Sequence, residues 1–151
     1  MPRSHRIVVG VEGSKGSKNA LKWALDEARY RNAVVDVVTA YLPTYVPAAP
    51  DFGYVPLDPV DLVEEIRKMQ DAVIDQVASA SSVTIERRLL KGRAADTLII
   101  AAEGADMLVV GSRGRGGFRG LLLGSVSQQI AQHASCAVVI VRPDINVDDE
   151  E

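Results

Sequence analysis

The hydrophobic positions of this chain follow two rhythms. Continuous runs rich in Val and Ile recur at 5–11 (HRIVVGV), 33–41 (AVVDVVTAY), 105–111 (ADMLVVG) and 136–142 (CAVVIVR), and a more alternating run occupies 82–89 (SVTIERRL). Runs of this length and β-branched content predict strands. Between them, apolar residues repeat every three to four positions. Ala20, Leu21, Ala24, Leu25 and Ala28 form one stripe within 17–30, and Leu62, Ile66, Met69, Val73 and Val77 form another within 59–79, which predicts amphipathic helices. Shorter helices fit 94–103, with Leu98, Ile99 and Ala102 inward, and 125–134. Strand and helix alternate, and near-continuous apolar strands belong in parallel sheets covered on both faces. The pattern predicts an α/β fold built on a doubly wound five-stranded parallel sheet, with the alternating 82–89 strand at an edge.

Two segments break the rhythm. Residues 42–59 hold five of the six prolines that follow Pro2, and proline keeps such a stretch from becoming a helix or a central strand. A connection this long is either functional or a plain linker. Residues 144–151 (DINVDDEE) carry five acids and are expected to form a disordered tail without a site. In a chain of 151 residues, one domain over 1–143 accounts for the rest.

Composition narrows the choice of partner. Apolar residues make up 47% and charged residues 25%, an ordinary globular mix, and the net charge of −3 argues against a nucleic-acid or membrane-surface binder. Any anion site must be local. The apolar run Ile7–Val11 is too short for a signal core or a membrane span, so a cytoplasmic location is expected. The single cysteine, Cys136, lies in SCAVVIV and reads as a buried strand thiol rather than a nucleophile. His5 precedes the first strand, and His133 ends the last helix, where a cation suits the dipole. Both read as structural, and neither a metal-ligand spacing nor a Ser/His/Asp set converges.

In an open α/β sheet, ligands gather at the carboxyl ends of the strands where strand order reverses. Two glycine-bearing loops leave strands there: GVEGSKGSKNA (10–20) and GSRGRGGFRGLLLG (111–124), followed by Ser125. In the second, Gly111 and Gly114 are expected to take positive φ and turn amide N–H groups toward an oxyanion. Gly124 and Ser125 fall at a helix start, where free amides and the macrodipole favour phosphate. Arg113, Arg115 and Arg119 add positive charge nearby. Duller readings exist: Ser125 as an ordinary N-cap, Gly116, Gly117 and Gly120 as flexible spacers, and the arginines as solvated charge. The basic run RRLLKGR (87–93) sends Arg87, Arg88, Lys91 and Arg93 toward the same sheet end, either to reach a phosphate chain or to make a solvated edge. Neither a G-x-x-x-x-G-K-[ST] loop nor a strict G-x-G-x-x-G after the first strand is present.

The pattern G-x₂-G-x₉-G-[ST] is met by Gly111, Gly114, Gly124 and Ser125. With IVVGVEGS near the start and CAVVIVRP near the end, the chain over about 5–143 closely resembles the universal stress protein family in its ATP-binding branch. The resemblance implies a Rossmann-like sheet of order 3-2-1-4-5 with ATP and Mg²⁺ at the switch point. It also implies a homodimer joined through the last strand, Ala137–Arg142; as a binding module, its nucleotide state is expected to be read by a partner protein at the dimer surface. By position, Gly111, Gly114, Gly124 and Ser125 would hold ribose and phosphates, with Val126 beside them and Arg113 where other members often have histidine. Val11 and Ala40 would flank adenine, Ala40 offering main-chain hydrogen bonds, and Gly92 matches a further glycine near the nucleotide. Where the family usually has aspartate after the first strand, this chain has Glu12, which keeps the carboxylate and extends its reach by one methylene. The same cleft could serve a slow ATPase or nucleotidyl transferase, but the chain offers arginines and no clear base, so a non-enzymatic regulatory module is favoured. A cyclic nucleotide or a flavin would be further occupants.

Overall fold

The computed structural model describes residues 3–43, 45–47, 53–56, 59–114 and 123–143. Along the chain come β1 (His5–Gly10), α1 (Lys15–Arg31), β2 (Ala33–Tyr41), β3 (Tyr45–Pro47), β4 (Tyr54–Pro56), α2 (Pro59–Ala78), β5 (Ile85–Lys91), α3 (Ala94–Ala101), β6 (Met107–Gly111), α4 (Ser125–His133) and β7 (Ala137–Val141). Five strands form one parallel sheet in the order β5-β2-β1-β6-β7. This is the 3-2-1-4-5 order of a doubly wound fold. Ile7 stands in register with Val35 on one side and Met107 on the other, so strand order reverses between β1 and β6, and a crevice opens past their carboxyl ends.

Side-chain alternation divides the core in two. Ile7, Val9, Val11, Val35, Val37, Met107 and Val109 pack against Ala20, Leu21, Ala24 and Leu25 of α1 and Val73 and Ile74 of α2. On the other face, Val8, Val38, Leu108 and Val110 meet Ala95, Leu98 and Ala101 of α3 and Ile130 of α4. Burial on both faces is why β1 and β6 read as unbroken apolar runs. At the end of β1, a Cβ on Gly10 would stand 2.7 Å from Leu98 Cδ1, so glycine lets α3 press onto the sheet beside the crevice.

Two boundaries differ from expectation. The strand expected at 82–89 runs from Ile85 to Lys91, because Ser81 Oγ accepts the Val83 N–H (3.2 Å) in a turn and pairing with β2 continues to Tyr41↔Lys91. It occupies a sheet edge, as its alternation predicts. Within the proline-rich connection, β3 and β4 pair antiparallel as a small separate sheet, with Pro47 and Pro56 at opposite ends of the ladder. Proline tolerates such outer positions and hides the pattern from a reading based on hydrophobic periods.

At the amino end of the sheet, far from the crevice, Asp106 accepts the Arg6 N–H (2.7 Å) and lies 3.4 Å from His5. The backbone hydrogen bond chiefly holds its carboxyl below the usual carboxylate range. Cys136 is half-buried just before β7, and burial pushes its thiol pKa up, away from nucleophilic use. Among the described residues, no helix is long and apolar enough to cross a membrane. The tail 144–151 lies outside the described residues.

Candidate functional site

The first glycine loop closes on itself. Val11 prolongs β1 by donating its N–H to Val38 C=O (3.0 Å), and its own C=O accepts the Thr39 hydroxyl (2.8 Å). Gly13 then turns the chain at φ 92°. Ser14 caps α1, its Oγ accepting the Ser17 N–H (3.1 Å). Glu12 folds over the same turn, with Oε1 accepting the Ser14 N–H at 3.2 Å and also the Ser14 hydroxyl. The protein's own oxygens thus take the Ser14 and Ser17 amides at this helix start.

The second loop is arranged differently. Gly124, not Ser125, is the N-cap of α4, and no side chain caps the helix; Ser125 is the exposed first helical residue. Gly124 donates its N–H to Ser112 C=O (2.7 Å), and the Ser127 hydroxyl donates to Ser112 C=O (2.9 Å) and Gly124 C=O (3.0 Å). These bonds tie α4 to the end of β6. The amides of Ser125, Val126 and Ser127, first in the helix, have no intrahelical acceptor. Helix starts of this kind are favourable places for an anion in general.

The glycines divide into two kinds, and neither Gly111 nor Gly114 takes the positive φ expected of it. Gly111 is required by contact: a Cβ there would lie 2.9 Å from Gly16 C and 3.0 Å from Gly16 O, while one on Gly16 would lie 2.8 Å from Arg113 O. The two loops therefore touch backbone to backbone. Among the described residues, the nearest atoms to a Cβ on Gly114 and Gly124 are Glu12 Cδ at 3.8 Å and Ser112 O at 3.5 Å, respectively. Glu12 thus brings its carboxyl beside Gly114.

The expected adenine end lies on β2. Pairing with β1 stops at Gly10↔Val38, apart from the Val11 bond, while β2 continues to Tyr41. Because main-chain groups alternate sides along a strand, those of Ala40 point into the space beyond the end of β1. Behind Val11, the buried Gln70 donates to Thr39 Oγ1 (3.0 Å), Val37 C=O (3.2 Å) and Arg88 C=O (3.0 Å), which fixes the hydroxyl that holds Val11. Gly92 does take positive φ (147°). Its N–H bonds to Tyr41 C=O (2.8 Å), and a Cβ would meet Thr97 Oγ1 at 2.5 Å. Val126 is half-buried against the α3–α4 core, so its side chain serves packing and its amide serves the helix start.

The cations distribute differently from expectation. Arg87 and Arg88 lie within β5, not beyond it. Arg87 pairs with Asp71 and Asp75 (3.9 Å) on α2, and Arg88 pairs with the buried Asp36 (2.9 Å). Both side chains are thereby directed away from the switch-point cleft. Arg93 caps α3 through its backbone. Arg115, Arg119, Gly116, Gly117 and Gly120 lie outside the described residues. Sequence reasoning passed over Asp36 and Gln70. Asp36 carried a signal, since a carboxylate inside AVVDVVTAY must find buried partners; Gln70 falls among apolar stripe positions and carried almost none. Among the described residues, no three metal-ligating side chains cluster.

Fold and site together define a doubly wound α/β protein with a glycine-capped helix start at its switch point. The model of the universal stress protein family matches residues 3–142, and the chain belongs to that family. It is 30% identical over 145 residues to universal stress protein MT2699 of Mycobacterium tuberculosis, covering 96% of this chain and 51% of that one. It is also 33% identical to a universal stress protein of Thermus aquaticus, covering 90% of this chain and 97% of the relative. The chain thus spans about half the length of the mycobacterial relative and nearly all of the Thermus one. Among solved structures, a universal stress protein in complex with cAMP superposes with TM-score 0.70 at 30% identity, covering 92% of this chain and 97% of that chain. Universal stress protein UspA from Lactobacillus plantarum gives TM-score 0.74 at 22% identity, with 94% and 100% covered, and supports the fold alone.

Proposed function

We propose that the chain binds an adenine nucleotide, ATP in preference to cyclic or monophosphate forms, at the switch-point cleft and acts as a regulatory module rather than a catalyst. The observation that carries this reading is the start of α4: a glycine N-cap, no side-chain cap, and only ordinary contacts among the described residues for a Cβ at Gly114 or Gly124. In this reading the amides of Ser125 and Val126 and the Ser125 hydroxyl take phosphate oxygens, Gly111 and Gly114 shape the ribose and phosphate path, and Arg113 adds charge. Main-chain groups of Ala40 read the adenine edge, with Val11 against the base and Gly92 closing that end. Glu12 is the carboxylate nearest the phosphates. A hard cation such as Mg²⁺ is commonly held by one carboxylate, phosphate oxygens and water, so Glu12 fits that role and the cation would neutralise phosphate charge.

The binding reading is favoured over turnover because Glu12 already accepts from both the Ser14 amide and hydroxyl, which directs it to structure rather than to activating water. The dimer belongs to the same proposal. β7 is an edge strand with half-buried valines and isoleucine, and such an edge invites pairing with a second copy. The similarity to a cAMP-bound relative makes the choice of phosphate state the test. Calorimetric titrations of nucleotide-free protein with Mg-ATP, AMP and cAMP should rank ATP first, and a cAMP affinity exceeding that for ATP would reverse the assignment. A steady-state phosphate-release assay should match the buffer blank. Sedimentation of wild type and Val139→Lys should show a dimer and a monomer, respectively.

A further inference from the structure

On the sheet face that carries α3 and α4, α3 lies over β1 and β2, and edge strand β5 is left beside it without a helical cover. The strip between them is a groove of about 500 Å³, a volume typical of small-ligand sites. One wall is apolar, formed by Leu90, Ile100 and Ala101, and three cations, Arg6, Arg88 and Lys91, line it from the sheet side. Arg6 sits at the amino end of β1, opposite the switch-point cleft, and the groove's other end, at Lys91 and Thr97, lies beside Gly92.

We propose that this groove is a second ligand site, selective for a small organic acid that carries one carboxylate on an apolar body. Charge is the first argument. Arg6 (3.1 Å) and Arg88 (2.9 Å) both donate to Oδ2 of Asp36, which is 1% exposed. One carboxylate against two guanidinium groups leaves a positive charge over. Lys91, at the end of β5, and Glu103 are the remaining charged residues of the lining. The second argument is preorganisation. Arg6 is also held by Ala101 C=O (3.0 Å) and Glu103 C=O (2.8 Å), so little freedom is lost when an anion arrives. Arg88 commits one nitrogen to Asp36 and keeps the rest of its planar fork for a carboxylate. Asp36 Oδ1 is buried without a hydrogen-bond partner, an unfavourable arrangement that stability alone does not explain and that holds two arginines side by side at the groove.

The third argument is the apolar wall. Ile100 is 65% exposed and stands beside the cations. Phosphate alone would leave this wall bare, and an apolar molecule alone would leave the charge unanswered. A ligand with both parts satisfies the groove.

The test is an amide chemical-shift titration of nucleotide-free protein with 4-phenylbutyrate, set against 4-phenylbutanol and inorganic phosphate. Phenylbutyrate should give saturable shifts confined to Arg6, β5 and α3, with both comparison probes weaker by about tenfold or more, the loss of one charge-assisted hydrogen bond. Ile100→Glu and Lys91→Gln leave the Asp36 pairs intact. The first should weaken phenylbutyrate by at least about tenfold and the second by less, while Ile100→Glu retains the wild-type response to Mg-ATP. Phosphate or phenylbutanol binding as tightly as phenylbutyrate, shifts that map elsewhere, lack of saturation, or undiminished binding by Ile100→Glu would each overturn the proposal. None of these outcomes depends on the nucleotide site.

Discussion

Gly111→Ala and Gly124→Ala should fail in different ways, although both residues belong to one glycine motif. At Gly111 the added methyl would stand 2.9 Å and 3.0 Å from backbone atoms of Gly16, and backbone cannot swing aside as the end of a side chain can. Overpacking of this kind costs about 1–3 kcal/mol, or roughly 2–12 °C in Tm for a chain of this size. At Gly124 the nearest atom would be Ser112 O at 3.5 Å, an ordinary contact, and the backbone, at φ −72° and ψ 168°, accepts any residue. Stability should therefore fall by under about 1 kcal/mol, the difference between glycine and alanine as an N-cap. The methyl would instead enter the space assigned to phosphate, and loss of one charge-assisted hydrogen bond worth about 1.5–3 kcal/mol predicts affinity lower by roughly tenfold or more. Urea unfolding can be followed through Trp23, the only tryptophan, which packs against the α1–α2 core, and affinity by Mg-ATP calorimetry. A Gly111 variant as stable as wild type, or a Gly124 variant that binds ATP normally, would refute the division of labour.

Other outcomes follow from the buried polar groups. Asp36→Ala strands two guanidinium groups that are 30% and 40% exposed and should cost toward the lower end of the ~3–5 kcal/mol typical of a broken buried pair, read by urea unfolding. Gln70→Leu removes the donor to Thr39 and should cost about 1–3 kcal/mol. It should also weaken ATP binding, because the Thr39 hydroxyl no longer holds Val11 in place; calorimetry on the folded variant checks this. The depressed pKa of Asp106 means that its stabilisation is complete above the ordinary carboxylate range and is lost as pH falls through the folded value. Asp106→Asn should accordingly be less stable than wild type near neutral pH, and the gap should close below about pH 4 in paired unfolding curves.

Most of the framework was legible because it is written in periodicity. Buried parallel strands make unbroken valine runs, and Ala20, Leu21, Ala24, Leu25 and Ala28 repeat at helical spacing. The β3–β4 hairpin was not legible, since a three-residue strand bounded by proline has no hydrophobic period. The site was half legible. Glycine spacing located the α4 start but not the reason for each glycine: Gly111 is demanded by the backbone of Gly16, a residue far away in the chain, and such a contact leaves no local trace. The arginines of 87–93 left two readings open for a related reason. The face that Arg88 occupies is set by the register Val38↔Arg88, which turns it toward Asp36 and away from the cleft. A run of charges announces its composition, not which neighbour each charge meets.

The central claim is that the start of α4 binds the phosphate chain of an adenine nucleotide. The most direct measurement is a calorimetric titration of folded, nucleotide-free wild type with Mg-ATP, repeated with Gly124→Ala. Saturable binding near one ATP per chain in wild type, weakened by roughly tenfold or more in the variant, is the predicted result. Absence of saturable binding by wild type, or equal binding by both proteins, would contradict it.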